Sequence, residues 1–312
     1  MPELPEVETI KLGLSKLLPG KKVQKVTYDW PKSFPNSKAD VDKFLIGAKV
    51  LRVKRRAKVL LIELDSKYSL VTHLKMTGQL VYVPYGHKLT ADSLPAGRQG
   101  SRLTAEKKFG GGHPSDSLIG RLPDRSTRVI TGFIGGSKLF FNDQRKFGWM
   151  RLVPTTEVPN IDFFKKVGPE PLAASFKARD FTKRLQKRPN SSVKAVLLDQ
   201  TIIAGVGNIY ADEALWGAKI HPSTVVNRLN GRSIYLLFEE LQYVLKLSIE
   251  KGGSTDRNYV NHEGKKGSYM SFARVFRREG QTCPRCGATI IKTRVAGRGT
   301  HTCPNCQKES KK

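Results

Sequence analysis

The chain has 312 residues, 38% hydrophobic and 26% charged, with 55 Lys plus Arg against 27 Asp plus Glu and a formal net charge of +28. That length suits two domains with a sizeable core and needs no disulfide staple; no run of 18 apolar residues exists to form a membrane-spanning helix. The basic surplus implies a polyanionic partner, nucleic acid ahead of an anionic membrane surface, and the acidic start PELPEVET lacks the apolar stretch of a signal peptide, so the expected compartment is the reducing cytosol.

Val7, Ile10, Leu14, Leu17 and Leu18 recur at helical spacing, which predicts a helix from residue 6 to a stop at Pro19-Gly20. Pro5 suits its first turn, where a missing N–H costs nothing; Pro2 lies outside it. Strand-like stretches follow at 22–30, 48–55, 59–64, 69–73 and 79–83, then at 128–134, 138–142 and 149–153. Short β runs separated by Gly and Asp turns indicate a sandwich or barrel-like sheet. Residues 87–126 interrupt them with Gly, Pro and Ser and no periodicity, and read as a disordered insertion. Past a linker at 154–159, helical patterns dominate at 176–188, 193–199, 209–216 and 233–251.

The chain closes on Cys283-Pro-Arg-Cys286 and Cys303-Pro-Asn-Cys306, with 16 residues between the pairs. Each pair forms a knuckle that presents two thiolates to one tetrahedral Zn2+; disulfides are the alternative, with nothing else in the chain that looks secreted. The expected fold is α+β: an N-terminal β-sandwich domain with flanking helices (1–153), a helical domain (154–271) and a four-cysteine zinc hairpin (272–312).

Gly205-Val-Gly-Asn208 places a tight turn ahead of a helix, with Asn208 as a natural N-cap. A helix N-terminus of this kind binds phosphate, and Lys194 on the preceding helix is placed to face the same group. Arg145 and Phe147 lie two apart, on one side of an extended segment. Exposed, they would wedge and fill a duplex that has lost a base from its stack; in isolation, a core Phe beside a solvated Arg is the commoner arrangement. Met76 offers a flexible thioether alongside, again more often a core residue. Arg55-Arg56-Ala57-Lys58 is a basic hairpin, either a solvated edge or a phosphate clamp. Arg298, between two glycines, belongs at the tip of the cysteine hairpin, where it can approach a nucleic-acid backbone.

Taken together, and in this order, the motifs resemble bacterial formamidopyrimidine-DNA glycosylase over nearly the whole chain. The resemblance rests on Pro2-Glu-Leu-Pro-Glu-Val-Glu-Thr9, Arg56-Ala-Lys58, His73-Leu-Lys-Met76, Asn142-Asp-Gln-Arg145-Lys-Phe147-Gly148, Val167-Gly-Pro-Glu-Pro-Leu172, Gly205-Val-Gly-Asn208-Ile-Tyr-Ala-Asp-Glu-Ala214 and the cysteines. It implies a cytoplasmic, monomeric base-excision-repair enzyme associated with the bacterial nucleoid, binding double-stranded DNA with damaged bases and holding one Zn2+ on Cys283, Cys286, Cys303 and Cys306. Oxidised purines would be removed through a Schiff base on Pro2, exposed by loss of Met1, and the strand cut by β,δ-elimination. The resemblance gives Glu3 the role of proton donor, Lys58 that of general acid or phosphate ligand, and Arg298 a part in δ-elimination. It makes Met76, Arg145 and Phe147 the gap-filling residues, and gives DNA contacts to His73, Lys194 and Asn208. Arg128 stands where the family often has a DNA-contacting His, and a phosphate contact is expected of it. The glycine-rich stretch 252–261 resembles the loop that closes over an extruded base. Two rivals are an oxidised-pyrimidine glycosylase of the same superfamily and a non-catalytic DNA-binding relative. Leu4 and the complete Met76/Arg145/Phe147 set disfavour the first; the presence of Pro2, Glu3 and Lys58 disfavours the second.

Overall fold

The computed structural model describes residues 2–85, 109–112, 122–254 and 268–309. They fall into two units: Met1–Pro2, Glu6–Ile161 and Gly252–Ser268 form the first, and Glu3–Pro5, Asp162–Lys251 and Tyr269–Lys312 the second.

In the first unit, α1 (Leu4–Leu17) runs on from Glu6 and buries Val7, Ile10 and Leu14; of the other two residues at that helical spacing, Leu17 is half-buried and Leu18 is buried just past the helix end. β1 (Val23–Tyr28) follows, then the one-turn α2 (Lys38–Asp40), capped by the Ser37 hydroxyl. The remaining strands are β2 (Val50–Arg56), β3 (Val59–Leu64), β4 (Tyr68–His73), β5 (Gly78–Val83), β6 (Phe109–Gly112), β7 (Thr127–Phe133), β8 (Lys138–Asp143) and β9 (Trp149–Pro154). All pairings are antiparallel, in two sheets ordered β1-β7-β8-β5-β6 and β2-β3-β4-β9. Val53, Ile62 and Leu70 of one sheet share a core with Leu80, Val129 and Phe141 of the other and with α1. Alternating apolar positions thus become a two-sheet sandwich. Where a linker was expected after Pro154, Thr155–Asn160 form a 3-10 helix tied back to β4 by the Ser69 and Thr155 hydroxyls, 2.8 Å apart.

The stretch 87–126 departs from its reading as an insertion without structure. Phe109–Gly112 form β6 and extend the edge of the larger sheet, with Phe109 paired to Tyr82. The Phe109 ring lies against α1 at Gly13, where an added Cβ would stand 2.1 Å from the ring. Leu122 packs with Val81, Val83 and Phe140. Residues 86–108 and 113–121 lie outside the described residues, as does most of the expected loop at 252–261.

The second unit comprises α3 (Asp162–Lys166), α4 (Ala178–Leu185), α5 (Val193–Leu198), α6 (Asn208–Gly217), α7 (Gly231–Glu250) and the hairpin β10 (Ile291–Val295)–β11 (Arg298–Thr302). Phe181, Leu197, Tyr210, Leu215 and Leu241 make its main core. The Asn230 side chain caps α7 by accepting from Ser233 N at 2.8 Å. A smaller core joins Trp216 at the end of α6 to Val275, Ile290, Cys283 and Cys303. Among the described residues, no helix is long and apolar enough to cross a membrane.

The buried ring of Phe109 yields a stability prediction for a segment whose sequence looks structureless. Phe109→Ala should cost the full chain about 3 kcal/mol or more in urea unfolding. A loss below about 0.5 kcal/mol, the ordinary scale of a surface substitution, would show that β6 is not part of the core.

Candidate functional site

In the first unit, β2 and β3 meet in a two-residue turn, Ala57-Lys58, with Ala57 in the left-handed region at φ 52°. Arg55 holds this tip. Its Nη1 donates to the Ala57 carbonyl at 2.9 Å, and its Nε donates to Glu8 Oε2 on α1 at 2.6 Å. Burial pushes the Glu8 carboxyl up, but Arg55 and then Lys11 outweigh it and hold the group below the usual carboxylate range. Lys58 is buried at the turn, as is Pro2 in the same unit.

His73 ends β4, opposite Val59. Its Nδ1 accepts from Lys75 N at 2.9 Å, so the ring is held by the loop it precedes. Burial first, then the charges of Lys75 and Lys58, lower its pKa to about 3. The imidazole beside Lys58 is therefore neutral at physiological pH.

Met76, Arg145 and Phe147 come together on the surface. Met76 is 43% exposed and Phe147 56% exposed. Arg145 bridges them: Nη1 donates to Met76 Sδ at 3.5 Å, and the guanidinium sits 4.9 Å from the Phe147 ring centre. The commoner fate of a Met and a Phe in such patterns, burial in a core, is excluded for both.

Arg128 does not present itself to a ligand. Its Nε donates to the Asp143 carbonyl at 3.1 Å, Nη1 pairs with Asp29, and Nη2 donates to the Arg125 carbonyl, all inside the first unit. The residue is buried, and its expected phosphate contact is withdrawn on that ground.

In the second unit, the Gly205-Val-Gly207 turn accommodates protein, not phosphate. Gly205 has φ 80°, and an added Cβ would stand 2.6 Å from Leu4 Cβ; a Cβ on Gly207 would stand 2.2 Å from Glu3 Cδ. Leu4 N donates to the Gly205 carbonyl at 3.0 Å, and Glu3 Oε1 accepts from Ile209 N in the first turn of α6 at 3.1 Å. A carboxylate thus occupies the helix N-terminus where an anion was expected. The N-cap is Gly207, and Asn208 is the first helical residue. Asn208 Nδ2 donates to the Gly299 carbonyl at 2.9 Å.

Lys194 is buried completely. Its Nζ donates to Asp212 Oδ1 at 2.6 Å, to Thr300 Oγ1 at 2.7 Å and to the Gly299 carbonyl at 3.3 Å. Burial pulls its pKa down against the opposing charges of Asp212 and Glu3, and the Arg298 charge adds to the lowering. Direct phosphate contact by Lys194 is therefore also withdrawn: its donors are committed to the hairpin and to α6. Arg298 itself is exposed at the hairpin tip, beside Ala296 and Gly297 at φ 50° and 72°, the backbone of a tight two-residue turn. The first half of α6 thus holds Glu3 through Ile209 N, the Gly299 carbonyl through Asn208 and Lys194 through Asp212.

The sequence reading missed Asp212 and Glu213. Both are buried; Asp212 Oδ2 accepts from His301 N at 3.0 Å, while Glu213 Oε1 accepts from Val275 N and Phe276 N at 2.9 and 2.8 Å. Two adjacent acids within the otherwise apolar run Ile-Tyr-Ala-Asp-Glu-Ala-Leu-Trp were the available signal.

The thiols of Cys283, Cys286, Cys303 and Cys306 all lie within 4.8 Å of one another. Sγ···Sγ distances of 3.4, 3.5 and 3.9 Å compare with about 3.8 Å for a tetrahedron of Zn–S bonds near 2.3 Å. Knuckle N–H donation from Ala288 and a side-chain contact from Asn305 lower the Cys286 thiol to about 6, whereas burial and then the neighbouring sulfurs push Cys306 up to about 12. Four sulfurs at this spacing fit a single Zn2+, which would bind them as thiolates.

Residues 1–150 match the formamidopyrimidine-DNA glycosylase N-terminal domain, 167–259 the formamidopyrimidine-DNA glycosylase H2TH domain, and 280–308 the zinc finger found in FPG and IleRS. The chain is 38% identical over 309 residues to a formamidopyrimidine-DNA glycosylase of Pelotomaculum thermopropionicum, covering 99% of both. It is 36% identical to that of Streptococcus mutans, over 99% of this chain and 100% of the other. A complex of the Lactococcus lactis Fpg with DNA containing an abasic site superposes with a TM-score of 0.81 at 33% identity, covering 98% of this chain and 100% of that one. A complex of MutM with DNA containing carbocyclic 8-oxo-G gives 0.79 at 33% identity, with 99% and 100% covered.

Two outcomes are expected of this geometry. Gly207→Ala drives a methyl into the Glu3 carboxyl and should lower single-turnover rate by about 10²-fold, the scale of roughly 1 Å of displacement, with DNA affinity retained; an unchanged rate would mean that Glu3 does not need this seat. His73 is protonated in the unfolded chain near its ordinary pKa of 6.5 but in the folded chain only near 3, so the unfolded state binds more protons between those values. Stability should therefore fall on acidification from pH 7 to 5, and less steeply in His73→Gln, as read by urea midpoints at the two pH values. Equal losses in the two proteins would show that His73 is not held neutral.

Proposed function

The chain belongs to the formamidopyrimidine-DNA glycosylase family, and from that premise we propose that it excises oxidised purines, 8-oxoguanine and formamidopyrimidines, and then cuts the abasic strand by β,δ-elimination. The observation that carries the reading is the exposed set of Met76 and Phe147 bridged by Arg145. An apolar sulfur and a ring stand about half exposed on one surface, bridged by a guanidinium. They have the chemistry needed to occupy a helix from which a nucleotide has been extruded: the ring and thioether replace stacking, and the guanidinium bonds the orphaned base.

With Met1 removed, Pro2 becomes an N-terminal secondary amine. An α-amino group titrates near about 8, so a substantial fraction is unprotonated at neutral pH. Its lone pair attacks the anomeric carbon of the extruded nucleotide, and the bond to the damaged base breaks. Glu3, seated on α6, donates the proton that opens the sugar ring. The resulting iminium is cationic without further protonation and draws electrons from the adjacent C–H bond, so loss of that proton expels the 3′ phosphate. A second elimination expels the 5′ phosphate. Lys58 serves these steps as general acid or phosphate ligand, next to the neutral His73. Arg298 and Asn208 offer donors to phosphates near the lesion, and Lys194 acts from within by fixing the hairpin on which Arg298 stands. Cys283, Cys286, Cys303 and Cys306 hold one Zn2+, which keeps the knuckles and hairpin in register. The enzyme works as a monomer on double-stranded DNA in the cytoplasm, at the nucleoid.

A borohydride trap tests the nucleophile. Reduction of the protein with duplex DNA containing 8-oxoguanine opposite cytosine should cross-link Pro2, located by mass spectrometry of the peptide. A cross-link on Lys58 would assign the wrong amine, and an intact Met1 with no cross-link would refute the covalent mechanism.

A further inference from the structure

We infer that Asp143 is the positioning residue for the gap-filling surface, locking into one arrangement the two loops that carry Met76, Arg145 and Phe147. The inference rests on the function proposed above and adds a residue to it.

Those three side chains stand on two irregular segments. One runs from the end of β4 to Gly78, the first residue of β5; the other leaves β8 at Asp143. Gly78 and Asp143 are cross-strand partners, so both loops emerge from one point on the sheet. Each contains a non-glycine residue in the left-handed region, Lys75 at φ 51° and Lys146 at φ 57°. Such residues carry strain and hold only where the surroundings fix them.

The fixing group is a fully buried carboxylate. Asp143 Oδ1 accepts from the Thr77 hydroxyl and, at 3.2 Å, from Arg145 N. Thr77 Oγ1 in turn accepts from Arg145 N at 3.1 Å. Asp143 Oδ2 accepts from Gly148 N at 2.6 Å. One side chain thus joins the residue after Met76, the backbone of Arg145 and the residue after Phe147. Gly148 is small because space is lacking: an added Cβ would stand 2.9 Å from Phe141 Cζ, 3.1 Å from Asp143 Oδ2 and 3.1 Å from the His73 carbonyl. Between the exposed pair, Lys146 turns back over the Trp30 ring at 4.2 Å, which sets Arg145 and Phe147 outward.

An acceptor-only group is required here. Each oxygen faces N–H or O–H donors, and an amide in its place turns an NH2 toward one of them. A charged acceptor also makes the stronger bonds. The loops are therefore set before DNA arrives, and extrusion of a nucleotide does not have to bear the cost of ordering them.

The test separates extrusion from chemistry by substrate. Asp143→Asn should slow single-turnover excision of 8-oxoguanine from a duplex by about 10²-fold, the cost of roughly 1 Å of misplacement. Cleavage at an abasic site in a single-stranded oligonucleotide, which has no stack to fill, should stay within about threefold of wild type, below the tenfold that 1.4 kcal/mol represents. Should Asp143→Asn fail to fold, Thr77→Val removes the Thr77 bonds to Asp143 and to Arg145 N, leaves Asp143 its bonds from Arg145 N and Gly148 N, and should give the same split at about tenfold. Loss of both activities together, or of neither, overturns the positioning role. A wild-type protein inactive on both substrates overturns the proposed function and the inference with it.

Discussion

The buried ion pair between Lys194 and Asp212 is the interaction on which the second unit's site depends. Neither side chain has any exposed surface, and burying two charges costs several kcal/mol each before their attraction is counted. The surroundings offset this through further hydrogen bonds: Thr300 and the Gly299 carbonyl complete the ammonium, and His301 N completes the carboxylate. Every one of those partners lies on β11, the strand that begins with Arg298. A pair that holds only with β11 in place is a device for fixing β11. An apolar pair of the same volume would make none of these directed bonds to β11.

Glu213, one residue on, repeats the arrangement in another direction. Successive residues of a helix point about 100° apart, so Asp212 faces the hairpin while Glu213 gathers the backbone N–H groups of Arg274, Val275 and Phe276. At the far end of α6, Arg285 in the first cysteine knuckle donates to the Trp216 and Gly217 carbonyls at 3.0 and 3.1 Å and covers the Trp216 ring at 3.8 Å. It thereby satisfies helix-end carbonyls that have no partner within the helix. The finger is thus held at its tip, its root and its knuckle by one ten-residue helix. The start of that helix holds Glu3. Zinc, by fixing the knuckles, acts on Arg298 through the same body that seats the proposed proton donor.

The sequence made the sheets legible because their signal is local. Alternation and Gly or Asp turns located eight strands to within two residues at either end. β6 escaped because Phe-Gly-Gly-Gly has no β-branched residue and owes its place to the edge of β5 and the notch at Gly13, neither of which is near it in the chain. The site shows the same division. Cysteine spacing gave the zinc cluster outright, and the order of motifs gave the family. Burial of cations could not be read, since Lys and Arg are almost always exposed and a buried one declares itself only through its partners. Arg128 and Lys194 were therefore assigned to phosphate when their partners, Asp29 and Asp212, lie 99 and 18 residues away in sequence. The glycines at 205 and 207 likewise have the spacing of a phosphate turn. Their cause is steric and sits some 200 residues earlier, in Glu3 and Leu4.

Burial of part of the cations limits what the charge of +28 can do. Affinity for duplex DNA falls with salt in proportion to the phosphates neutralised, not to the charge carried. Arg55, Arg128 and Lys194 are each consumed by an internal acid and a carbonyl, so they contribute to the shape of the surface and little to counterion release. The same acids spare the neighbouring cations an uncompensated burial. A basic protein of this kind therefore divides its cations between two tasks. The exposed ones attract phosphate without regard to sequence, while the buried ones hold protein in place: Lys194 the β11 strand, Arg55 the Ala57-Lys58 turn and Arg128 the end of β8. Attraction to phosphate is the same at every step of the helix, so the exposed set by itself carries no preference for one step over another, and any such preference has to come from groups whose positions the buried set fixes.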